Sequence, residues 1–506
     1  MRSSSCARPP SGWGTRSSRL SVRDLCLAAL DSATRAGATY ADCRTLRMLR
    51  QNISCEDDRV SGLHDRESLG LGVRVLCGGA WGFAAVRTLT KQEAEKAART
   101  AVAVARASAT TRLSPVQLVP EPPRVSAFRT PFLIDPFTVS MSEKTGLLLA
   151  VNERLLKRSA LIRKAESSMI FKKDERLLMS TEGADLSSVT VTSAAWYQAT
   201  AVSNGDAKSR SYHPPARNAG WENLSAADLL ANCDRVADQA VGHLSARECP
   251  VGAKDLILDP LHLALTIHES VGHATELDRA LGMEESLAGR SFATPDKLHR
   301  LQYGAGIVNL VADNTLPGGL ASQGFDDEGV EAQRWDIVKD GLFSGYGTSR
   351  EVAAAIGEDR SRGACRADAW SSIPIVRIPN LSLMPGRDAC TVEDLIADTD
   401  DGILIEGMGS FSIDQMRCNF QFGGDAFWEV KRGKIVGMLK NVTYQSITTD
   451  FWNRCVGLGD QRTWVPNGVL NCGKGDPMQV SQMTHGAPAA KFHGIQVGGA
   501  SASAAS

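Results

Sequence analysis

Apolar and polar residues alternate along the first 215 residues in a way that predicts a domain of mixed helices and strands. Ser21 and Asp24 stand three positions apart before a run with helical apolar spacing, which is the pattern of a capped helix start. Two alternating runs joined by the glycines at 78–79 predict a β-hairpin. The same reasoning predicts further helices after Thr90 and Ser140 and a strand over residues 187–203.

The predicted elements divide the chain into four parts and give an α+β fold class. Residues 1–20 are basic and rich in serine and proline, which predicts a disordered extension. Residues 21–215 form the N-terminal mixed domain, and residues 216–252 form a connecting helical segment. Residues 253–500 contain many short, glycine-rich strand patterns, which predict an antiparallel, barrel-like β domain that carries one helix of particular interest.

That helix lies in the stretch LDPLHLALTIHESVGHATELD, residues 258–278. Asp259 is suited to the N-cap position and Pro260 to the first helical position. Apolar residues recur at helical spacing from Leu263 to Leu277, so a helix is predicted across the whole stretch.

Two histidines on this helix raise the question of a metal site. His268 and His273 are five residues apart, which in a regular helix leaves the two rings about 140° apart around the axis. A single π-type turn would bring both rings to one side, and Gly272 tolerates such a distortion. Glu276 would then approach the same face as an outer partner, and Glu269 would lie where a general base is needed. The alternative is that both histidines are packed residues of the core.

Composition restricts the classes of partner and compartment. The chain has 506 residues, a formal net charge of −1 and a pI near 6.8, so no nucleic acid or anionic membrane is expected as a partner. No apolar run is long enough to span a bilayer, and the N-terminus lacks the apolar segment of an export signal. The twelve cysteines include no C-x-x-C pair, which favours reduced thiols. A cytoplasmic protein is therefore expected.

Several stretches together resemble the TldD/PmbA family of metallopeptidases. HESVGHATELDRALG is similar to the TldD-type HExxxH segment, and GATYADCRTLR is similar to the start of the family's first domain. The other similar stretches are GFDDEGVEAQRWDIVKDGLFSGY, IPIVRIPNLSLMPG and GVLNCGKGDPMQVSQMTHGAPAAKFHGIQVGG. The resemblance extends over roughly residues 22 to 500 of the sequence.

The resemblance implies a zinc-dependent metallopeptidase of the motif-bearing, TldD type. It implies that zinc (Zn²⁺) is bound by His268, His273 and Cys472, and that Glu269 is the catalytic glutamate. It also implies two-domain subunits that dimerise around an enclosed cavity and hydrolyse unfolded or flexible peptides. The dimer would be a homodimer or a heterodimer with a PmbA-type paralogue.

Two other groups of polar residues each allow two interpretations. Arg377 and Asn380 either bind the substrate or hydrogen-bond to the backbone of the β domain. Asp326, Asp327 and Glu328 form either a second metal site or an acidic turn ended by a glycine. The remaining histidines of interest are expected not to be ligands: His262, His299, His485 and His493.

Two functions of other classes stay open from the sequence. A His-Glu-His helix with a cysteine also resembles the ligands of peptide deformylases, so a zinc hydrolase of small acyl substrates is one alternative. A non-catalytic scaffold subunit of a TldD/PmbA-like complex is the other, although such a subunit is expected to have lost the motif.

Overall fold

A computed structural model of the chain describes residues 20–498. The predicted basic extension, residues 1–20, lies outside this range except for its last residue. The helices are α1 Val22–Arg35, α2 Lys91–Ala109, α3 Met141–Arg158, α4 Ala226–Leu244, α5 Pro260–Ile267, α6 Leu277–Ala280, α7 Val392–Ala397 and α8 Thr448–Asn453. The strands are β1 Tyr40–Glu56, β2 Arg59–Cys77, β3 Ala80–Val86, β4 Val125–Arg129, β5 Ile162–Ser180, β6 Asp185–Ser203, β7 Asp206–Tyr212, β8 Arg247–Glu248, β9 Gly252–Leu258, β10 Leu310–Asp313, β11 Arg334–Lys339, β12 Leu342–Phe343, β13 Cys365–Arg366, β14 Ile375–Val376, β15 Leu381–Leu383, β16 Asp401–Glu406, β17 Phe411–Ile413, β18 Asn419–Gly423, β19 Ala426–Lys431, β20 Lys434–Lys440, β21 Thr443–Ile447, β22 Cys455–Leu458, β23 Val465–Lys474, β24 Gln479–Ala487 and β25 Ala490–Val497.

The N-terminal half is built on one seven-stranded sheet with the order β3-β2-β1-β5-β6-β4, to which β7 adds beside β6. The predicted caps are present, since the Ser21 and Asp24 side chains each accept a backbone N–H at the start of α1. Helices α1 and α2 cover one end of the long strands, and α3 and α4 cover the other. Helix α4, which lies in the predicted connecting segment, therefore packs on the N-terminal sheet.

Side-chain alternation along β1 assigns a role to each face of this sheet. Odd-numbered residues such as Cys43 and Ile53 are buried under the helices. Even-numbered residues such as Asp42 and Arg44 point the other way, towards the C-terminal half, where Arg44 lies 3.8 Å from a carboxylate oxygen of Asp327. One sheet thus builds both the N-terminal core and the contact between the two halves.

The C-terminal half is a curled half-barrel sheet, which confirms the predicted α+β class and barrel-like domain. Its ten strands run in the order β17-β18-β21-β25-β9-β16-β19-β20-β8, with β22 beside β25. In the described chain, β9–β16 and β8–β20 are the parallel neighbours of this sheet, and the others pair antiparallel. Helix α5 lies in the largest apolar core, where Leu263 and Ile267 are fully buried.

The acidic turn at residues 326–328 lies in the contact between the two halves. Asp326 accepts backbone N–H groups from Glu328 and Val330, which closes the turn. Glu328 lies 3.1 Å from Arg74, and Asp327 lies 3.2 Å from Arg176. Backbone N–H groups and arginines therefore contact the three carboxylates. This agrees with the interpretation of residues 326–328 as an acidic turn.

Membrane-spanning helices and disulfides can be looked for among the described residues. No helix within residues 20–498 has the length and apolar character needed to cross a membrane. The eleven cysteines of the same range are all free thiols.

Candidate metal centre

The first turn of α5 is held by its own sequence. The Asp259 carboxylate accepts the backbone N–H of His262 at 2.7 Å, and Pro260 occupies the first turn, where no intrahelical N–H bond is needed. The His262 ring bridges the Gly407 carbonyl and the Tyr444 hydroxyl at 2.9 and 2.8 Å. His262 is therefore a structural histidine that fixes the start of the helix against the half-barrel.

The helix widens between the two histidines, as a shared site would require. It does not continue across the whole stretch as predicted, because a 3-10 turn follows at His273–Thr275 and Glu276 is extended. Residues His268–Gly272 form a single π-turn in which the N–H of His273 donates to the carbonyl of His268. Gly272 packs so closely that a Cβ atom there would lie 2.9 Å from Cδ1 of Ile378. The extra residue turns both imidazoles to one side, and their ring centroids are 4.9 Å apart.

Cys472 completes a cluster with the two histidines. It lies on β23, and its sulfur is 3.5 Å from Nε2 of His273. Ligand atoms of His268, His273 and Cys472 all lie within 4.8 Å of one another, and all three side chains are buried. Within residues 20–498, no other group of three or more His, Cys, Asp or Glu side chains has this geometry.

A charged outer partner orients His273. Its Nδ1 lies 2.9 Å from a carboxylate oxygen of Glu276, whose other oxygen is 3.2 Å from Nζ of Lys474. Burial alone would raise the pKa of Glu276, but Lys474 and His273 outweigh it and hold that pKa well below its usual range. Glu276 is thus an anion that accepts the Nδ1 hydrogen and leaves Nε2 of His273 facing Cys472.

His485 was expected not to be a ligand, and the structure places it behind His268. Its Nδ1 lies 2.9 Å from the Leu381 carbonyl, which can only accept a hydrogen bond. The His485 Nδ1 therefore carries the hydrogen, and its Nε2 accepts from Nδ1 of His268, 2.9 Å away. Burial lowers the pKa values of both rings, so both are neutral. This leaves the Nε2 lone pair of His268 free for a metal.

The thiol of Cys472 has a cationic neighbour in Arg377. One Nη atom of Arg377 lies 2.6 Å from the Cys472 carbonyl oxygen and 3.3 Å from its sulfur. Burial would raise the pKa of the Cys472 thiol, but His273 and Arg377 outweigh it and the pKa falls below its ordinary value. The environment therefore favours the thiolate, which is the form that binds metals.

Arg377 and Asn380 are both fully buried and hydrogen-bonded to the backbone. Arg377 also donates to the Gln479 carbonyl at 2.9 Å. The Asn380 amide oxygen accepts the N–H groups of Ala321 and Thr484, and its nitrogen donates to Asp313. These contacts agree with the interpretation in which both residues hydrogen-bond to the backbone of the β domain. Substrate binding by either residue stays a prediction.

Glu269 lies beside the cluster and pairs with a residue that the sequence reasoning missed. Its Oε2 accepts a hydrogen bond from Nη1 of Arg417, in the turn between β17 and β18. Arg417 follows Glu269 by 148 residues in the chain, so no local sequence pattern connects these two residues. Exposed His493, by contrast, pairs with Asp255 on β9, away from the cluster.

The donor set fits a zinc ion. Two neutral imidazoles and one thiolate are ligands that zinc prefers, and each histidine has an outer partner on its Nδ1. The arrangement is therefore a candidate metal site, and Glu269 directly follows one of its candidate ligands in the helix.

Comparison with known proteins identifies the family. Residues 252–499 match the PmbA/TldA metallopeptidase C-terminal domain, and residues 41–105 match domain 1 of the same metallopeptidases. The chain belongs to the PmbA/TldD family.

Individual relatives agree with this assignment. The chain is 27% identical to metalloprotease MJ0996 of Methanocaldococcus jannaschii over 403 residues, 79% of this chain and 85% of the relative. It is 25% identical to a zinc metalloprotease TldD homologue of Saccharolobus solfataricus, over 54% of this chain and 56% of the relative. The solved structure of TldE from Thermococcus kodakarensis matches with a TM-score of 0.74 at 16% identity, covering 94% of this chain and all of that one. The last comparison supports the fold alone.

Proposed function

We propose that this protein is a zinc-dependent peptidase that hydrolyses unfolded or flexible peptides. The observation that carries the proposal is the buried group of His268, His273 and Cys472, with Glu269 directly after His268 in the π-turn. The name of the Saccharolobus relative, a zinc metalloprotease, supports the choice of metal.

His268, His273 and Cys472 would bind the zinc. Zinc held by three protein ligands keeps a fourth position open, lowers the pKa of a water there towards about 7 and polarises a carbonyl oxygen. The chain prepares for this by orienting both histidines through their Nδ1 atoms and by placing Arg377 beside the Cys472 thiol. The three candidate ligands are thus held in position before a metal binds.

Glu269 is the proposed general base. Its carboxylate would accept a proton from the attacking water and pass it to the leaving amine nitrogen. Glu276, the other glutamate close to the two histidines, is already paired with His273 and Lys474, which leaves Glu269 for this role.

Burial restricts the class of substrate. Relative exposures are 4% for His268, 5% for His273 and 6% for Glu269. A peptide bond in a folded protein surface cannot approach side chains at that depth. An extended or flexible peptide can, which is why we propose such substrates.

We also propose that the active form is a dimer around an enclosed cavity, formed with a second copy or with a PmbA-type paralogue. Family membership supports this part. Light scattering of the purified chain, alone and mixed with a co-expressed paralogue, would distinguish the two: a dimer of the chain alone supports the homodimer, and a monomer that pairs only in the mixture supports the heterodimer.

The hydrolytic proposal is tested by measuring zinc per chain and cleavage of a flexible peptide together. Glu269→Gln is expected to keep its zinc and lose cleavage, and Cys472→Ala is expected to lose both. Cys455→Ala is the matched control, because Cys455 is also a buried free cysteine but does not belong to the group formed by His268, His273 and Cys472. A wild-type protein without zinc whose Glu269→Gln variant behaves identically would contradict the proposal. Cleavage of N-formyl peptides alone would favour a small-acyl hydrolase.

A further inference from the structure

Arg417 occupies a turn that is fixed from several sides. The Asp414 carboxylate accepts the N–H groups of Cys418 and Asn419 at 2.8 and 3.0 Å. The Thr448 hydroxyl donates to the Arg417 carbonyl at 2.8 Å. Arg417 itself has a φ of +62°, a backbone conformation that is strained for a residue with a Cβ atom. The surrounding bonds therefore impose this conformation, in which the side chain contacts Glu269.

The guanidinium of Arg417 leaves most of its donors unused. An arginine carries five N–H donors, and among the described residues the recorded side-chain partner of Arg417 is Glu269 alone. Its Nε is buried and has no hydrogen-bond partner. An unsatisfied buried donor is unfavourable, so this arrangement needs a compensating role.

Charged residues of the candidate metal centre lie close enough to Arg417 to act on its pKa. Burial lowers the pKa of Arg417, while Glu269, Glu276 and Cys472 act on it as negative charges. The guanidinium thus lies within electrostatic reach of the ligand set as well as of the general base. Its side chain is 15% exposed and is thus less deeply buried than that of Glu269, at 8%.

We propose that Arg417 is a catalytic residue that stabilises the negative charge developing on the carbonyl oxygen of the substrate. This role rests on the proposed peptidase function. When a water oxygen bonds to the carbonyl carbon, the C=O electron pair moves to the oxygen, and Glu269 takes the proton released from the water. When the C–N bond breaks, the electron pair returns to the carbonyl and Glu269 gives that proton to the leaving nitrogen. The unused N–H groups of Arg417 would donate to the oxygen while it carries the charge.

Two other roles of the contact between Arg417 and Glu269 predict different effects of removing Arg417. If Arg417 only orients Glu269, its loss has no effect once Glu269 is removed. If Arg417 is an inhibitory latch that occupies Glu269, its loss increases the rate. Stabilisation of the oxyanion instead predicts a loss that persists without Glu269.

The experiment uses zinc-loaded full-length protein with Arg417→Lys and Arg417→Asn. Lysine keeps the charge but has fewer donors, and asparagine tolerates the left-handed backbone, so the turn is preserved. The readouts are kcat and KM for a flexible peptide, and the affinity for its phosphinic analogue, in which a tetrahedral phosphinate replaces the scissile amide. Arg290→Lys is the control, since Arg290 makes an exposed pair with Glu285.

We expect kcat to fall by roughly 10²–10³-fold in both variants, with KM nearly unchanged and zinc content equal to that of the wild type. The phosphinic analogue should bind more weakly by a similar factor, and the same loss should be seen in a Glu269→Gln background. Unchanged analogue binding in that background, or a faster Arg417→Asn enzyme, would overturn the role of Arg417 while leaving the peptidase assignment intact. A wild-type protein that neither cleaves the peptide nor binds its analogue overturns both.

Discussion

The imidazole rings of His268 and His485 meet nitrogen to nitrogen, 2.9 Å apart, although 217 residues separate them in the chain. The Leu381 carbonyl behind His485 sets the direction of the hydrogen bonds, so a single backbone oxygen determines which nitrogen of His268 is free. A series of hydrogen bonds between neutral groups therefore orients His268, whereas the anionic Glu276 orients His273.

Replacement of His485 should weaken metal binding without removing a ligand. In His485→Ala, the Nδ1 hydrogen of His268 loses its buried acceptor, so the ring is free to rotate or change tautomer. We expect the Kd for zinc to rise by about 10–100-fold, as for other outer partners of metal-binding histidines. Competition with a chromogenic chelator would measure the change.

His243→Gln provides the control for this experiment, because His243 is buried on α4 against Phe427 and is remote from the cluster. It should lower stability without changing zinc affinity. Equal zinc affinity in His485→Ala and wild type would contradict the orienting role.

Gly272→Ala should disturb the π-turn. The added Cβ would lie 2.9 Å from Cδ1 and 3.0 Å from Cγ2 of Ile378, too close for either group to remain in place. Overpacking of this kind costs about 1–3 kcal/mol. We expect a lower Tm and loss of zinc, and partial recovery of both in the double variant Gly272→Ala/Ile378→Ala. Recovery of Tm without recovery of zinc binding would show that the clash with Ile378 is not the cause of the zinc loss.

Loss of Arg74 should destabilise the contact between the two halves. Arg74 lies between Asp42 and Glu328 at 2.8 and 3.1 Å, and all three are buried. Arg74→Met leaves two buried carboxylates without their cation, which typically costs about 3–5 kcal/mol. Denaturant unfolding would measure this. The control is Arg154→Met, which breaks an exposed pair with Asp234 and should leave the midpoint unchanged.

The pH dependence of stability should include a contribution from His262. Burial lowers its pKa to about 4 in the folded protein, whereas the unfolded chain has an ordinary value near 6.5. Between these values only the unfolded state binds the proton, so this contribution to stability is lost as the pH falls from about 6.5 to about 4. At pH 4 the loss approaches about 3 kcal/mol.

His262→Gln isolates this contribution, since a glutamine amide can donate to the Gly407 carbonyl and accept from the Tyr444 hydroxyl. The difference in unfolding free energy between wild type and variant should change across this window and be constant above it. Burial raises the pKa of neighbouring Asp259 to about 7, a titration that both proteins share. A pH-independent difference would show that the pKa of His262 is the same in the folded and unfolded states.

Local patterns were sufficient to predict the features that depend on neighbours in the chain. The caps at Ser21 and Asp259 follow from short-range hydrogen bonding, and the widened turn follows from the five-residue spacing of His268 and His273. Each depends on residues within one or two helical turns, and such patterns are visible in a single sequence.

The contacts of His485 and Arg417 could not be predicted in this way. Each reaches the helix from a different strand pair, and the pairing register of distant strands decides which side chain arrives. Cys472 was assigned from family resemblance rather than from spacing. A weak signal did exist for His485, because it lies on the strand that pairs with the Cys472 strand.

The separation of 199 residues between His273 and Cys472 has a consequence for synthesis. The two histidines are synthesised long before β23, and β9, which leads into their helix, pairs with β25, which follows β23 in the chain. The three candidate ligands therefore cannot come together until residue 472 has been synthesised. Co-translational folding can form the widened helix, but it cannot complete the candidate site until then.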